Sequence, residues 1–594
     1  MTNSKYYEMK CEFFSLWDKV CVSVKFNSLI VVLSAVMLAV SCSKDMGNYD
    51  YTDPNMATIL VVNSNAGTSN PDSFLIRQQD SLKIDIEITQ TKPTGEMLVN
   101  WYLIPTSSTQ GNLPQYELGS SKNLRAYVQM QPGFYQMVCK VTDQSTGNSF
   151  YKIYKLTVTT APWGGEGWLV LQDKSATRNG NDISIILTLD GTTPGADVYH
   201  NLYSNTNGKM LPVGTNNVYV IDYASSINQQ SVMFTYGFGA IQTRFTDFSD
   251  SVDLNTMFVV PPSTFNYQRI LCVNQGQREM VINSNQLYFR RVNIATITNA
   301  PLMYSAPILG SWEASPYLGF AAGLTDYMVT IYDQKNRCFV HYDLQANALV
   351  PSMPDIPNQH FGAYFGTGSP HPLGPQGKGF DFNNIGKDLL YAENAQLLTY
   401  AASNGVSSWW NYFFRNPSKD STFIFQFQVY SIGTNYSAVN NQTTGRYYLN
   451  PARCPDINAA SMFAVPNHLS IPGGVFYYTA GHQIHGCVIQ QPNAAQGSSA
   501  VNATLGYNFE QGTVIKVMKI FKSEYSGSTN APFTPLPANE GRVLAVATDE
   551  TANGKGHNVY FFRIGNNGAL GAPMSSYGGF DKIVDLEFKK TRGL

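Results

Sequence analysis

One pattern constrains this chain more than any other. From Gly167 to the C-terminus an apolar run, a short polar turn and a second apolar run keep recurring. REMVINSNQLYFRRV turns at Asn283–Asn285, and YMVTIYDQKNRCFVHYDL turns at Asp333–Asn336. QLLTYAASNGVSSWWNYFF turns at Asn404–Gly405, and VYFFRIGNNGAL closes on Asn566–Gly568. Runs rich in β-branched and aromatic residues, separated by Asn, Asp and Gly, read as hairpins. No stretch here sustains a helical period. The spacings are too irregular for a strict repeat, and the strands are too many for one sandwich. Radial repetition takes up many short strands without leaving long open edges. Residues 164–594 therefore predict a β-propeller-like domain, with about six to eight blades at ~40–60 residues per blade. GWLVLQD opens this region. The last strand, FDKIVDLEFKK, alternates Ile583, Val584, Leu586 and Phe588 imperfectly, and pairing it with GWLVLQD would close the ring.

Residues 56–160 read as a separate β-sandwich of immunoglobulin type. SLKIDIEIT places Leu82, Ile84, Ile86 and Ile88 on one face and Lys83, Asp85 and Glu87 on the other. MLVNWYLIP puts Trp101 in a strand, as such sandwiches do. Tyr135, Met137, Cys139 and Val141 alternate inward, Asp143–Asn148 makes a hairpin turn supported by Asp143, and Tyr154, Leu156 and Val158 return. This reading gives the sandwich a polar outer face with few exposed aromatics. Pro162 and Gly164–Gly167 mark the boundary with the propeller region.

The N-terminus carries Lys25, then the apolar run Leu29–Val40 broken only by Ser34, then small residues leading to Cys42. This is the layout of a secretory signal. The run is too short for an ordinary membrane span, which needs about 20 apolar residues. Cys42 sits between Ser41 and Ser43 like the acylated cysteine of a lipobox, with Ala39 where such motifs usually carry Leu and Leu38 one position earlier. So 1–41 reads as a lipoprotein signal peptide, Cys42 as the lipidation site and 42–55 as a polar tether carrying Asp45, Asp50 and Asp53. The protein is expected to work outside the cytoplasm, held to a membrane by lipid on Cys42.

CSKDMGNYDYTDPN, the G-x-Y…V-T-D…G arrangement of the sandwich and the GWLVL opening together resemble the PKD-like family lipoproteins of Bacteroidota. The resemblance implies an outer-membrane lipoprotein facing the cell exterior. It also implies association with SusC/SusD-like TonB-dependent import pairs that take up glycans or peptides. It transfers no catalytic residue.

Charged residues make up 13% of the chain and the net charge is −2, with no basic block, so nothing points to nucleic acid. Beyond Cys11, Cys21 and Cys42, the cysteines are Cys139, Cys272, Cys338, Cys454 and Cys487. An odd number at wide spacing, without CxxC, argues against a disulfide framework and for buried small hydrophobes. His482, His485 and Cys487 in GHQIHGCVI are the best metal candidates. Strand periodicity puts His485 and Cys487 on one face and His482 on the other, so ligation needs a bend at Gly486. The long loop 351–380 offers His360, Tyr364, Phe365 and His371 for ligand contact; it is read equally well as a blade connection packed on its own side chains. SSWWNYFF alternates aromatic residues on both faces and reads as core. DETANGKGHN lacks the terminal Glu of a calcium loop and reads as a turn. HExxH and GxSxG do not occur. The chain is expected to need no cofactor and to act without catalysis, binding a nutrient (glycan or peptide) or docking on an import complex. The alternatives are a glycan- or peptide-degrading enzyme on a propeller scaffold and a ligand-free structural subunit of the import assembly.

Overall fold

Alternating apolar residues become the inward faces of two packed sheets in the N-terminal domain. The computed structural model describes residues 55–589 apart from 93–94, 107–114, 189, 192–194, 224–229, 274–277, 292–302, 321–327, 345–346, 352–379, 381, 398–406, 431–441, 469, 472–473, 490–500 and 523–538. One sheet has three strands, in the order Ala57–Ser64, Ser81–Gln90, Asn123–Tyr127. The other has five, in the order Ser73–Arg77, Ser149–Thr159, Gly133–Asp143, Met97–Pro105, Tyr116–Gly119. Leu82, Ile84, Trp101, Leu103, Met137, Cys139 and Val141 fill the space between them. Trp101 is fully buried, and its indole N–H donates to the Ser121 carbonyl at 3.0 Å, which removes the cost of burying that donor. Asp143 accepts from the Ser145 amide at 2.9 Å and the Ser145 hydroxyl at 2.6 Å, and so fixes the hairpin turn. The outer face is not polar, however. Phe134, Tyr151, Ile153 and Tyr116 stand exposed on the five-stranded sheet, because both sets of the strand alternation carry apolar residues. Ile153, Val138 and Tyr102 occupy one cross-strand row there.

Among the described residues, the remaining strands form seven small sheets. Blade 2 is Asn217–Asp222, Gln230–Tyr236, Gly239–Arg244 and Asp250–Asp253. Blade 3 is Tyr267–Val273, Arg278–Asn283 and Gln286–Arg291, and blade 4 is Ala314–Phe320, Met328–Asp333, Cys338–Asp343 and Ala348–Pro351. Blade 5 is Asp388–Leu397, Ser407–Arg415, Thr422–Tyr430 and Gln442–Leu449. Blade 6 is Phe463–Ala464, Val475–Ala480, Gln483–Ile489 and Val501–Asn508. Blade 7 is Val514–Ile520, Val543–Glu550, Gly556–Arg563 and Ser575–Phe580. Blade 1 is shared between the two ends of the region. Gly167–Asp173, Asn181–Ile186 and Val198–Tyr199 supply three strands, and the C-terminal Lys582–Lys589 supplies the innermost. The first strand of every other blade is likewise innermost, and the innermost strands of blade 1 and blade 2, and of blade 7 and blade 1, lie against each other. This is a β-propeller closed by its two ends. The imperfect alternation of the last strand has a cause: its register against Gly167–Asp173 shifts between Ile583 and Asp585, and Val584 is the extra residue of a bulge.

Blade faces pack against blade faces, so most strands are apolar on both sides. In Ser407–Arg415, Trp410, Tyr412, Phe413 and Phe414 are all buried. Between blades 2 and 3 sits a sealed ion pair: Arg290 donates to Glu279 at 2.9 Å, and the Tyr223 hydroxyl donates to the same carboxylate at 2.7 Å. Tyr304 donates to its other oxygen.

The sandwich is bolted to the propeller through one carboxylate. Asp247, buried in blade 2, accepts from the amides of Gln78 at 2.7 Å and Gln131 at 2.8 Å, both sandwich residues. Thr246 donates to Gln131 at 3.0 Å. Next to this joint, Lys589 donates to the carbonyls of Trp163 at 3.0 Å and Gly165 at 3.2 Å, with its amino group 4.3 Å from the centre of the Phe245 ring. The segment between the domains is thereby held by the last strand of the chain.

Candidate functional site

A propeller's innermost strands line its axis, and in this chain several of them carry charged side chains that meet across blades. Lys519 on blade 7 donates to Asp585 at 2.9 Å and to Glu587 at 3.0 Å, both on the closing strand of blade 1. Asp585 also accepts the Val218 amide of blade 2 at 3.1 Å, so one carboxylate ties together three blades. The Arg269 guanidinium of blade 3 lies 5.8 Å from the centre of the Tyr219 ring of blade 2. Across the axis, Lys522 reaches past blade 6 to Glu393 of blade 5 at 2.6 Å. Glu393 in turn accepts the Tyr391 hydroxyl at 2.9 Å and the Val465 amide at 2.7 Å. Tyr317 of blade 4 meets Tyr391 edge to face at 5.3 Å.

The groups act on one another. Burial alone pulls the Lys519 ammonium toward neutrality, but Asp585 and Glu587 beside it reverse this and hold its pKa above the usual lysine value. Burial pushes the Tyr219 phenol up to about 12. Burial, reinforced by Glu393, raises Tyr391 far above an ordinary phenol. Tyr317 is raised by burial, against the pull of Arg269. All three tyrosines therefore stay protonated and can donate as well as accept. The cluster is not sealed: the Lys519 side chain keeps 32% of its surface open and Glu587 keeps 29%. Cations, carboxylates and phenols on rigid strands suit binding and orientation of a small polar ligand, with aromatic faces for sugar rings or apolar side chains.

The residues expected to form a site fare differently. His360, Tyr364, Phe365 and His371 lie outside the described residues, as do Cys42 and the tether to Pro54. The described flanks of that loop are Pro351, which ends the outer strand of blade 4, and Phe380, buried against Phe425 at 4.7 Å. His482 sits in the turn before Gln483–Ile489, where its carbonyl accepts the Phe509 amide at 3.1 Å. His485 stacks on Tyr478 at 5.0 Å, and Cys487 is buried facing Cys454. A register irregularity does fall between Gly486 and Cys487, but it does not assemble the triad: among the described residues no three His, Cys, Asp or Glu side chains could hold a metal ion. Sequence reasoning passed over the channel residues. The available signal was charge inside otherwise apolar strands, as in VIKVMKI and KIVDLEFK.

Sheets and closure define the class: an all-β protein with an immunoglobulin-like sandwich mounted on a β-propeller, with seven blades among the described residues. Residues 42–214 match the model of the PKD-like family, which spans the sandwich and the first strands of the propeller. No curated protein matches the chain. Among solved structures, Hsv2 of Kluyvelomyces marxianus is similar at 8% identity and a TM-score of 0.31, covering 68% of this chain and 94% of that one. The β-propeller domain of Cps50 (Swd1) of Myceliophteria thermophila is similar at 8% identity and a TM-score of 0.27, covering 61% and 87%.

Proposed function

We propose that this chain is a lipid-anchored outer-membrane protein, displayed on the cell surface, that binds a nutrient glycan or peptide at the propeller channel and serves a SusC/SusD-like import pair. The observation that carries the binding role is the cluster of Lys519, Glu587, Arg269 and the three tyrosines, open to water at Lys519 and Glu587 and supplied by separate blades to one axis. Mixed charge beside aromatic rings favours short peptides and hydroxyl-rich sugars over polyanions. The test is calorimetry of the exported chain against panels of short peptides and neutral oligosaccharides. Arg269→Met and Lys519→Met should each weaken a bound ligand at least tenfold with the fold intact. If both leave affinity unchanged while a Tyr364→Ala, Phe365→Ala double variant abolishes it, the site belongs to the 351–380 loop.

Anchoring rests on Leu29–Val40 running into Ser41 and Cys42. Cys42→Ala should move the protein from the membrane to the soluble fraction, because stable attachment takes more than one acyl chain and removing the thiol removes them. A Cys42→Ala protein that stays with membranes through a high-salt wash would refute the anchor.

A further inference from the structure

Cys454 and Cys487 are fully buried, with their sulfurs 3.8 Å apart. Cys454 follows the outer strand of blade 5, and Cys487 lies in the third strand of blade 6, so the pair bridges two neighbouring blades. Both backbones are fixed. The Cys454 amide donates to the Asn450 carbonyl at 2.8 Å, and Arg415 holds the following turn through the carbonyls of Ile457 at 3.3 Å and Ala460 at 2.9 Å. Cys487 is locked in the sheet opposite Phe476 on one side and Ala503 on the other. The Tyr478 hydroxyl, donating to the Pro455 carbonyl at 2.8 Å, pins the two segments together. A disulfide is about 2.05 Å long, so the sulfurs need to close by roughly 1.8 Å. Cys139, Cys272 and Cys338 lie in three other sheets.

We infer that Cys454 and Cys487 are a disulfide site, oxidised in the extracytoplasmic compartment to a covalent link between blades 5 and 6. The inference rests on the export reading given above. The oxidant is a disulfide donor, either a small-molecule or a protein disulfide. Cys454 attacks the donor as its thiolate. A mixed disulfide forms and one donor thiol leaves. Cys487 then attacks the Cys454 sulfur, the intramolecular bond forms and the second donor thiol leaves. Two electrons pass to the donor, and the two cysteine protons end on its two thiols. With both sulfurs buried in the finished fold, the exchange belongs to folding, before blade 6 packs against blade 5.

Two samples of the full chain test this. The first is purified from membranes without reductant, denatured, alkylated and digested unreduced. The second is reduced in urea and refolded with oxidised glutathione, which tests the geometry without export. The peptides holding Cys454 and Cys487 should appear as one linked species in both, lighter than their sum by two hydrogens, with Cys139, Cys272 and Cys338 alkylated. Linkage only in the refolded sample would overturn the export reading; both cysteines alkylated in both samples would overturn the site. Cys454→Ser should leave Cys487 alkylatable and make the melting temperature indifferent to reductant, whereas the parent chain should melt lower when reduced. A parent chain whose melting ignores reductant would show that the bond does not hold the blades together.

Discussion

Lys589 is a side chain whose protonation is coupled to folding. Its amino group is fully buried, and burial, only partly offset by Asp247, lowers its pKa to about 7. An unfolded lysine titrates near 10.4. Between those values the unfolded chain binds a proton that the folded chain refuses, so stability rises with pH across that window and is lowest below about 7. Lys589→Met should remove this slope, which cannot exceed about 1.4 kcal/mol per pH unit for one proton. Urea unfolding of both chains at pH 7, 8.5 and 10 would check it: a wild-type slope no steeper than the variant's would show that Lys589 keeps its proton. This residue was not legible in the sequence. FKK looks like an exposed strand end, and only the crossing of the last strand behind Trp163 buries its first lysine. The channel was hidden for the same reason, since Arg269, Glu393, Lys519 and Asp585 lie 66 to 316 residues apart in the chain and meet only when the ring closes.

Among elements, Lys582–Lys589 bears the most. Leu586 is fully buried between the closing strand and its neighbours, in the cluster that includes Trp168 and Val170. Leu586→Ala should cost about 2–5 kcal/mol through lost transfer energy and the cavity left behind, read from the shift in urea midpoint. Removal of 582–594 should go further and abolish cooperative unfolding of the propeller while the sandwich signal survives. A truncated chain that still unfolds in one sharp propeller transition would show that closure is dispensable. Hairpins were easy to read in advance because their turn chemistry is local. The polar outer face expected of the sandwich does not form because SFYKIYKLTV is apolar on both sides, which leaves Tyr151 and Ile153 exposed.

At the scale of the whole molecule, the Asp247 joint decides how the two domains move. Three hydrogen bonds from Gln78, Gln131 and Thr246 meet in a buried setting, and buried polar groups are costly to leave unpaired. Asp247→Ala should orphan the two sandwich amides and loosen the joint. It should be seen as a broader scattering profile and faster proteolysis at Pro162–Gly167, with little change in circular dichroism. Unchanged scattering would place the rigidity elsewhere.

Ring closure also sets a timetable. Blade 1 is begun by residues 167–199 and completed by 582–589, so 382 residues separate its last early strand from its final one. At synthesis rates of ~5–20 residues per second, the opening strands wait roughly 20–80 s for their partner. Throughout that interval the propeller has an open edge and cannot reach its final state. During the delay the strands of blade 1 have to be kept from wrong partners until the last codon is read. A product cut short by premature termination never closes, and it presents to proteases the edge that the finished protein hides.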